Sequence, residues 1–191
     1  MKPKSSQLNS NNVFHPSKRL FMQGALGAVV TVNSSALFAS IPPTQEKCIE
    51  IRNLHTGESI KTTFWANGEY LNDELQTMNK VLRDHRSNDV HPMDPALFDL
   101  LHALQQSVGV SGAFQIISGY RSEETNQMLR NNSTKVARRS LHMRGKAVDI
   151  RLPGCDLERL QASALALKAG GVGYYPRSNF IHVDTGRVRF W

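Results

Sequence analysis

Residues 140–152 read Ser140-Leu141-His142-Met143-Arg144-Gly145-Lys146-Ala147-Val148-Asp149-Ile150-Arg151-Leu152. The second half alternates as a strand does, because successive side chains of a strand point to opposite faces. Val148, Ile150 and Leu152 therefore share one side, and Ala147, Asp149 and Arg151 the other. The apolar set belongs in a core, which leaves Asp149 on the open face. The last predicted strand, Asn179 to Asp184, repeats the arrangement: Ile181 and Val183 are its apolar side, and Phe180, His182 and Asp184 lie opposite. Two strands thus each carry a metal-competent side chain on what can be one face of one sheet. His142 stands seven residues before Asp149, an odd spacing that would put it on the wrong face of a continuous strand. Gly145 supplies a turn that lets His142 reach back from a loop. Two imidazoles and one carboxylate, with a fourth position left for water, form a ligand set of the catalytic zinc type. Such a zinc lowers the pKa of water towards ~7 and polarises a carbonyl, which is what amide hydrolysis needs. A bare His-x6-Asp is common in proteins, so the shared face carries more of this reading than the spacing does.

Outward from that stretch the chain alternates in clumps. Ile49 to Arg52 and Lys61 to Trp65 read as short strands around the turn His55-Thr56-Gly57-Glu58. Leu71, Leu75, Met78 and Leu82 recur at helical spacing. A second helix is delimited by Asp94 as cap, Pro95 in the first turn, a stripe of Leu97, Leu101, Leu104 and Val108, and Gly109 at its end. The histidines of these segments, His85, His91 and His102, read as scaffold rather than ligands. Phe114 to Ile117 is a strand, with Ser118-Gly119-Tyr120-Arg121 as its exit. Ser122 followed by Glu123 and Glu124 caps a short helix. The stretch from Arg130 to Lys146 contains no acidic residue, and Asp156 to Ala169 is a helix ended by Gly170-Gly171. Without regular strand–helix alternation, the pattern predicts an α+β domain with a largely antiparallel sheet and flanking helices.

The first 45 residues contain no Asp or Glu, and carry Lys2, Lys4, Lys18 and Arg19 ahead of small and apolar residues from Leu20 to Ala39. A basic start, a modest apolar run and small residues before a cut make a secretory signal, placed at residues 1–39, with 40–48 as linker and 49–191 as the domain. Ser17-Lys18-Arg19-Leu20-Phe21-Met22 resembles a twin-arginine signal with Lys at the first Arg. The run Leu20 to Val32 is short for a ~30 Å hydrocarbon core, although an uncleaved anchor is the alternative. Removing the leader leaves +3 of the +7 formal charge, which takes away the main support for a nucleic-acid partner. Cys48 and Cys155 are the two cysteines. They either pair in an oxidising compartment or remain as two separate thiols.

Five segments taken in order resemble the YcbK-type murein endopeptidases of the zinc D-Ala-D-Ala peptidase (LAS) superfamily. They are Asn53 to Ser59, Ile117 to Ser122, Ser140 through Asp149, Gly170 to Pro176, and Asn179 to Gly186. The resemblance runs from about Ile49 to Trp191. It implies a Hedgehog/D-Ala-D-Ala peptidase-like fold and one Zn2+ per chain, held by His142, Asp149 and His182. It also implies a periplasmic enzyme acting on peptidoglycan stem peptides, with cross-links between diaminopimelate residues as the preferred bond. Arg121 is implied to bind or polarise the substrate carbonyl, with Tyr120 and Ser118 beside it in the substrate site. A structural ion pair of Arg121 with Glu123 or Glu124 is the competing reading. One departure stands out. The superfamily's catalytic Glu or His before the last ligand is missing among Arg177, Ser178, Asn179, Phe180 and Ile181. Asp184 is the nearest carboxylate, and either activates water as a catalytic base or orients His182 from behind. A D-Ala-D-Ala carboxypeptidase and a silent zinc module that binds wall peptide are the alternatives to an endopeptidase.

Overall fold

The computed structural model describes residues 45–133 and 136–191, so the leader and most of the expected linker lie outside the described residues. Among the described residues, no helix is long and apolar enough to cross a membrane. The described residues form one compact unit.

One mixed sheet of eight strands organises this unit, in the order β3-β2-β1-β4-β5-β7-β6-β8. The hairpin at the start is β1 (Glu46–Asn53) with β2 (Ser59–Ala66), extended by the two-residue β3 (Glu69–Tyr70). The remaining strands are β4 (Phe114–Ser118), β5 (Ala147–Arg151), β6 (Gly171–Tyr175), β7 (Phe180–Asp184) and β8 (Arg189–Phe190). Every pairing is antiparallel except β1 with β4 and β6 with β8. The α+β expectation and the largely antiparallel sheet therefore hold. Two details differ from the sequence reading. Strand β1 starts at Glu46, so Cys48 belongs to the sheet rather than to a linker, held there by pairing with Thr63. A short strand, β8, follows the one expected to be last; two residues leave no periodicity to read. Cys48 and Cys155 are both free thiols in this structure.

Helices α1 (Asn72–Val81), α2 (Pro95–Val108), α3 (Glu123–Asn132) and α4 (Leu157–Leu167) flank the sheet. Helix α2 follows its sequence signals closely. The Asp94 side chain accepts from the Ala96 N–H, Pro95 opens the first turn, and Gly109 closes the last in a left-handed conformation. Ser122 caps α3 by accepting from the Thr125 N–H. Helix α4 ends earlier than Gly170, because Lys168 already turns left-handed at φ 50°. The stripes of α1, α2 and α4 pack on the apolar side of the sheet in one core. Ile49, Ile51, Phe64, Phe114, Ile116, Val148, Ile150, Ile181 and Val183 meet Met78, Leu97, Phe98, Leu101, Leu104 and Leu160 there. Truncating a fully buried leucine of such a core, Leu101 for example, costs about 2–5 kcal/mol in transfer and cavity terms. That core holds the opposite, polar face of β5 and β7 in register.

Candidate metal centre

Register places the site. Asp149 on β5 pairs directly with His182 on β7, and His182 pairs in turn with Gly173 on β6. On the other flank a bulge between Ile116 and Ser118 of β4 slips the register, so that Ser118 rather than Ile117 stands opposite Asp149. Ser118, Asp149, His182 and Gly173 thus form one row across four strands. His142 joins the row from outside the sheet. It sits in a 3-10 turn, Leu141–Arg144, which Ser140 caps through its hydroxyl and which Gly145 ends at φ 64°. A side chain at residue 145 would be strained there, and its Cβ would also approach the Pro92 carbonyl oxygen to 2.3 Å. The turn expected at Gly145 is the device that brings His142 over Asp149.

The three ligand-type atoms converge. His142 Nε2 lies 3.2 Å from Asp149 Oδ1 and 3.2 Å from His182 Nδ1, and His182 Nδ1 lies 2.9 Å from the same oxygen. All three residues are buried. The far nitrogen of each ring is spoken for. His142 Nδ1–H donates to the Gly119 carbonyl at 2.7 Å, and His182 Nε2–H donates to Asp184 Oδ2 at 2.9 Å. A carbonyl only accepts, so the His142 proton sits on Nδ1 and its Nε2 presents a lone pair to the cluster. With His182 protonated on Nε2, its Nδ1 does the same. Two lone pairs and a carboxylate oxygen packed this closely repel one another unless a proton or a cation stands among them. A dication resolves all three contacts at once, which is why these residues fit a metal.

Electrostatics agree with that arrangement. Burial raises the Asp149 carboxyl, but His142 and His182 outweigh it and hold the pKa well below the usual carboxylate range. Burial pulls the pKa of His182 down, and the bonds to Asp149 and Asp184 more than offset it, so its pKa is raised. His142, fully enclosed, goes the other way: burial lowers it despite Asp149. Between the two rings, the one flanked by two carboxylates is the one that takes a proton when no cation is held.

Arg121 and Asp184 occupy different sides of the cluster. Arg121 Nη2 donates to Asp149 Oδ2 at 3.2 Å and to Ser118 Oγ at 3.1 Å, so its carboxylate partner is Asp149 rather than Glu123 or Glu124. It lines a cavity of about 320 Å³ above the cluster, together with His142, Asp149, His182, Tyr175 and Trp191. Asp184 is fully buried and lines no part of that cavity. Its oxygens accept from His182 Nε2, from both Arg189 amino groups at 3.0 and 2.6 Å, and from the Gly171 and Gly186 N–H groups. Burial opposes ionisation there, and these donors override it, keeping its pKa well below the usual range. Of the two alternatives for Asp184, the geometry favours a carboxylate that orients His182 from behind. Two residues expected in the substrate site, Tyr120 and Ser118, do not line this cavity. The Tyr120 ring stacks on that of His91 at 4.6 Å, and its N–H is bonded to the Leu82 carbonyl. Ser118 spends its hydroxyl on Arg121 and does not line the cavity. Arg189 was not singled out in the sequence, and an arginine five residues after a candidate acid gives no pattern to find it by.

A one-sheet α+β domain here gathers two imidazoles and a carboxylate at the floor of an open cleft, a donor set that could hold a metal ion. The chain belongs to the peptidase family described as peptidoglycan L,D-endopeptidase MepK, whose model matches residues 42–191. Among curated relatives, peptidoglycan L,D-endopeptidase MepK of Escherichia coli K12 is 41% identical over 174 residues, covering 91% of this chain and 96% of that protein. The probable peptidoglycan L,D-endopeptidase MepK of Haemophilus influenzae is 42% identical over 168 residues, covering 87% and 89%. No solved structure matches the chain.

Proposed function

We propose that this protein is an exported zinc metallopeptidase that hydrolyses amide cross-links between peptidoglycan stem peptides, with diaminopimelate–diaminopimelate links as its preferred bond. The observation that carries this reading is the convergence of His142 Nε2, Asp149 Oδ1 and His182 Nδ1 beneath an open cavity, each ring fixed by an acceptor on its far nitrogen. The relatives' names support the substrate class. The acid-free basic leader supports export to the periplasm.

One zinc per chain would be held by His142, Asp149 and His182. When bound, it supplies a Lewis acid for the scissile carbonyl and lowers the pKa of water towards ~7. The chain's own residues do the rest. Asp184 keeps the His182 proton on Nε2, so Nδ1 stays available as a donor of electrons; the Gly119 carbonyl does the same for His142 through Nδ1. Arg121 holds Asp149 Oδ2, leaving Oδ1 to face the two imidazoles. It lines the cavity beside the cluster, and its guanidinium would stabilise charge that develops on the carbonyl oxygen.

Digestion of purified muropeptides by the zinc-loaded protein, with products identified by mass spectrometry, tests the reading. Conversion of cross-linked dimers to monomers is the expected result. Release of D-alanine from monomers alone points to a carboxypeptidase. Binding of dimers without any turnover rejects the peptidase reading in favour of a wall-binding module.

A further inference from the structure

Three guanidiniums line the cavity: Arg121, Arg139 and Arg189. Two are committed, Arg121 to Asp149 at 3.2 Å and Arg189 to Asp184 at 2.6 Å. Arg139 is exposed and, among the described residues, makes no ion pair. Its neighbours in sequence offer none either, since Arg130 to Lys146 is free of acids. Asp149 is the one carboxylate among the described lining residues. The backbone on both sides of Arg139 is anchored. Asn126, 3% exposed, donates from Nδ2 to the Ala137 carbonyl at 3.2 Å, and the Ser140 hydroxyl accepts from the His142 N–H at 3.3 Å. An unpaired guanidinium therefore lines the cleft from a tethered backbone segment.

The same cavity has an aromatic wall. Tyr175 and Phe180 stack at 4.6 Å, and the Trp191 ring stands 5.3 Å from that of His182. Trp191 Nε1–H donates to the Tyr175 hydroxyl at 2.8 Å. Gly173 makes room for it, since a Cβ at that position would come within 2.7 Å of the indole.

We propose that Arg139 anchors a free carboxylate on the residue next to the scissile amide, while the wall of Tyr175, Phe180 and Trp191 takes that residue's methylene chain. The ligand class is a peptide residue with a short apolar chain and a free carboxylate for the guanidinium. Guanidinium and carboxylate match as a two-pronged fork, and methylenes gain by leaving water for an aromatic face. Alanine at that position has no chain for the wall to grip. This assignment rests on the peptidase reading above, and names the part of the cleft that would select the substrate.

The test uses pairs of cross-linked peptide dimers that differ only in a free carboxylate or a carboxamide on the diaminopimelate beside the scissile bond. The native protein is expected to favour the acid by about 10- to 100-fold in kcat/KM, mostly through KM, as a charge-assisted contact implies. In Arg139→Gln, cleavage of the acid should fall to the level of the amide with zinc content retained, and Arg139→Lys should recover part of the preference. Trp191→Ala, with Trp191→Phe as the milder variant, should raise KM for acid and amide together and leave their ratio alone. An acid preference that survives Arg139→Gln overturns the proposal. If the native protein cleaves neither dimer, the peptidase reading fails, and calorimetric titration of the acid and amide monomers decides the subsite by itself. An acid preference lost in Arg139→Gln supports it, and equal affinity for both peptides sinks it.

Discussion

Two histidine pairs sit in this domain, and their geometry differs in a way that decides their chemistry. His142 and His182 meet edge to face, ring centres 5.0 Å apart and planes 62° apart. His55, from the turn between β1 and β2, and His85, from the loop after α1, stack face to face at 3.7 Å and 8°. A ring nitrogen's lone pair lies in the plane of its ring. Tilted rings can therefore aim their lone pairs at a common point, whereas stacked rings send theirs out sideways, past one another. The first pair also has Asp149 between its members and an acceptor behind each ring. The second pair has one such acceptor in evidence, the Ile117 carbonyl at 3.0 Å from His55 Nε2. Proximity of two imidazoles is thus a poor guide to a metal site; what counts is a carboxylate at the crossing point and a fixed proton on each far nitrogen.

The sharpest way to break this comparison is to remove ligands. His142→Ala, Asp149→Ala and His182→Ala are each expected to drop zinc from about one per chain to near background, while the double variant of His55 and His85 to alanine keeps it. Elemental analysis of the purified domain reads both. Full occupancy in the first three would mean that the tilted pair is not the metal site. Next in size is Arg121→Ala, which should retain zinc but slow muropeptide cleavage by about 100- to 1000-fold, the ~2.7–4 kcal/mol typical of one lost donor to a developing oxyanion. Asp184→Asn comes third. It keeps the shape behind His182 while weakening the proton acceptor, so zinc affinity should fall by about 10- to 100-fold in a competition titration with a chelator. Unchanged affinity together with a large loss of turnover would instead return Asp184 to the role of base.

The smallest expected effect belongs to the stacked pair. Burial, and then the neighbouring His55, hold the His85 pKa down to about 4 from its ordinary 6.5. The unfolded chain therefore binds a proton that the folded chain refuses. The resulting stability is complete above about pH 6.5 and is lost as pH falls towards about 4. Urea denaturation of the native domain and His85→Gln across that interval should show their difference in midpoint shrinking with acid. A constant difference would remove His85 from the pH dependence.

How much of this could be read from the chain follows from what is local. Alternation in Val148–Leu152 and in Ile181–Asp184 put Asp149 and His182 on one face, and the glycine at 145 foretold the turn that carries His142. Asp94, Pro95 and Gly109 marked α2 to the residue because caps act through neighbours two or three positions away. The bulge at β4 that aligns Ser118 with Asp149 gave no sign, since a register slip exists only between strands. Asp184 was placed on the correct face, yet its role depended on Arg189, Gly171 and Gly186 closing around it, contacts made by packing rather than by period. Tyr120 and Ser118 show the same limit: adjacency to Arg121 in sequence did not bring them into the lining of the cavity.

Each of the two carboxylates nearest the cluster is matched by its own guanidinium, Asp149 by Arg121 and Asp184 by Arg189. Their four charges cancel, so the positive charge of a divalent ion held by the cluster would stay uncancelled at the floor of the cleft. Seen from solution, a loaded site would be a local source of positive potential in a cavity that Arg139 also lines. Anionic peptides diffusing along a wall would feel that potential within about 8–10 Å at ordinary ionic strength, and be drawn in faster as salt is lowered. The pairing that holds the ligands still would therefore also influence the rate at which enzyme and polymer find each other.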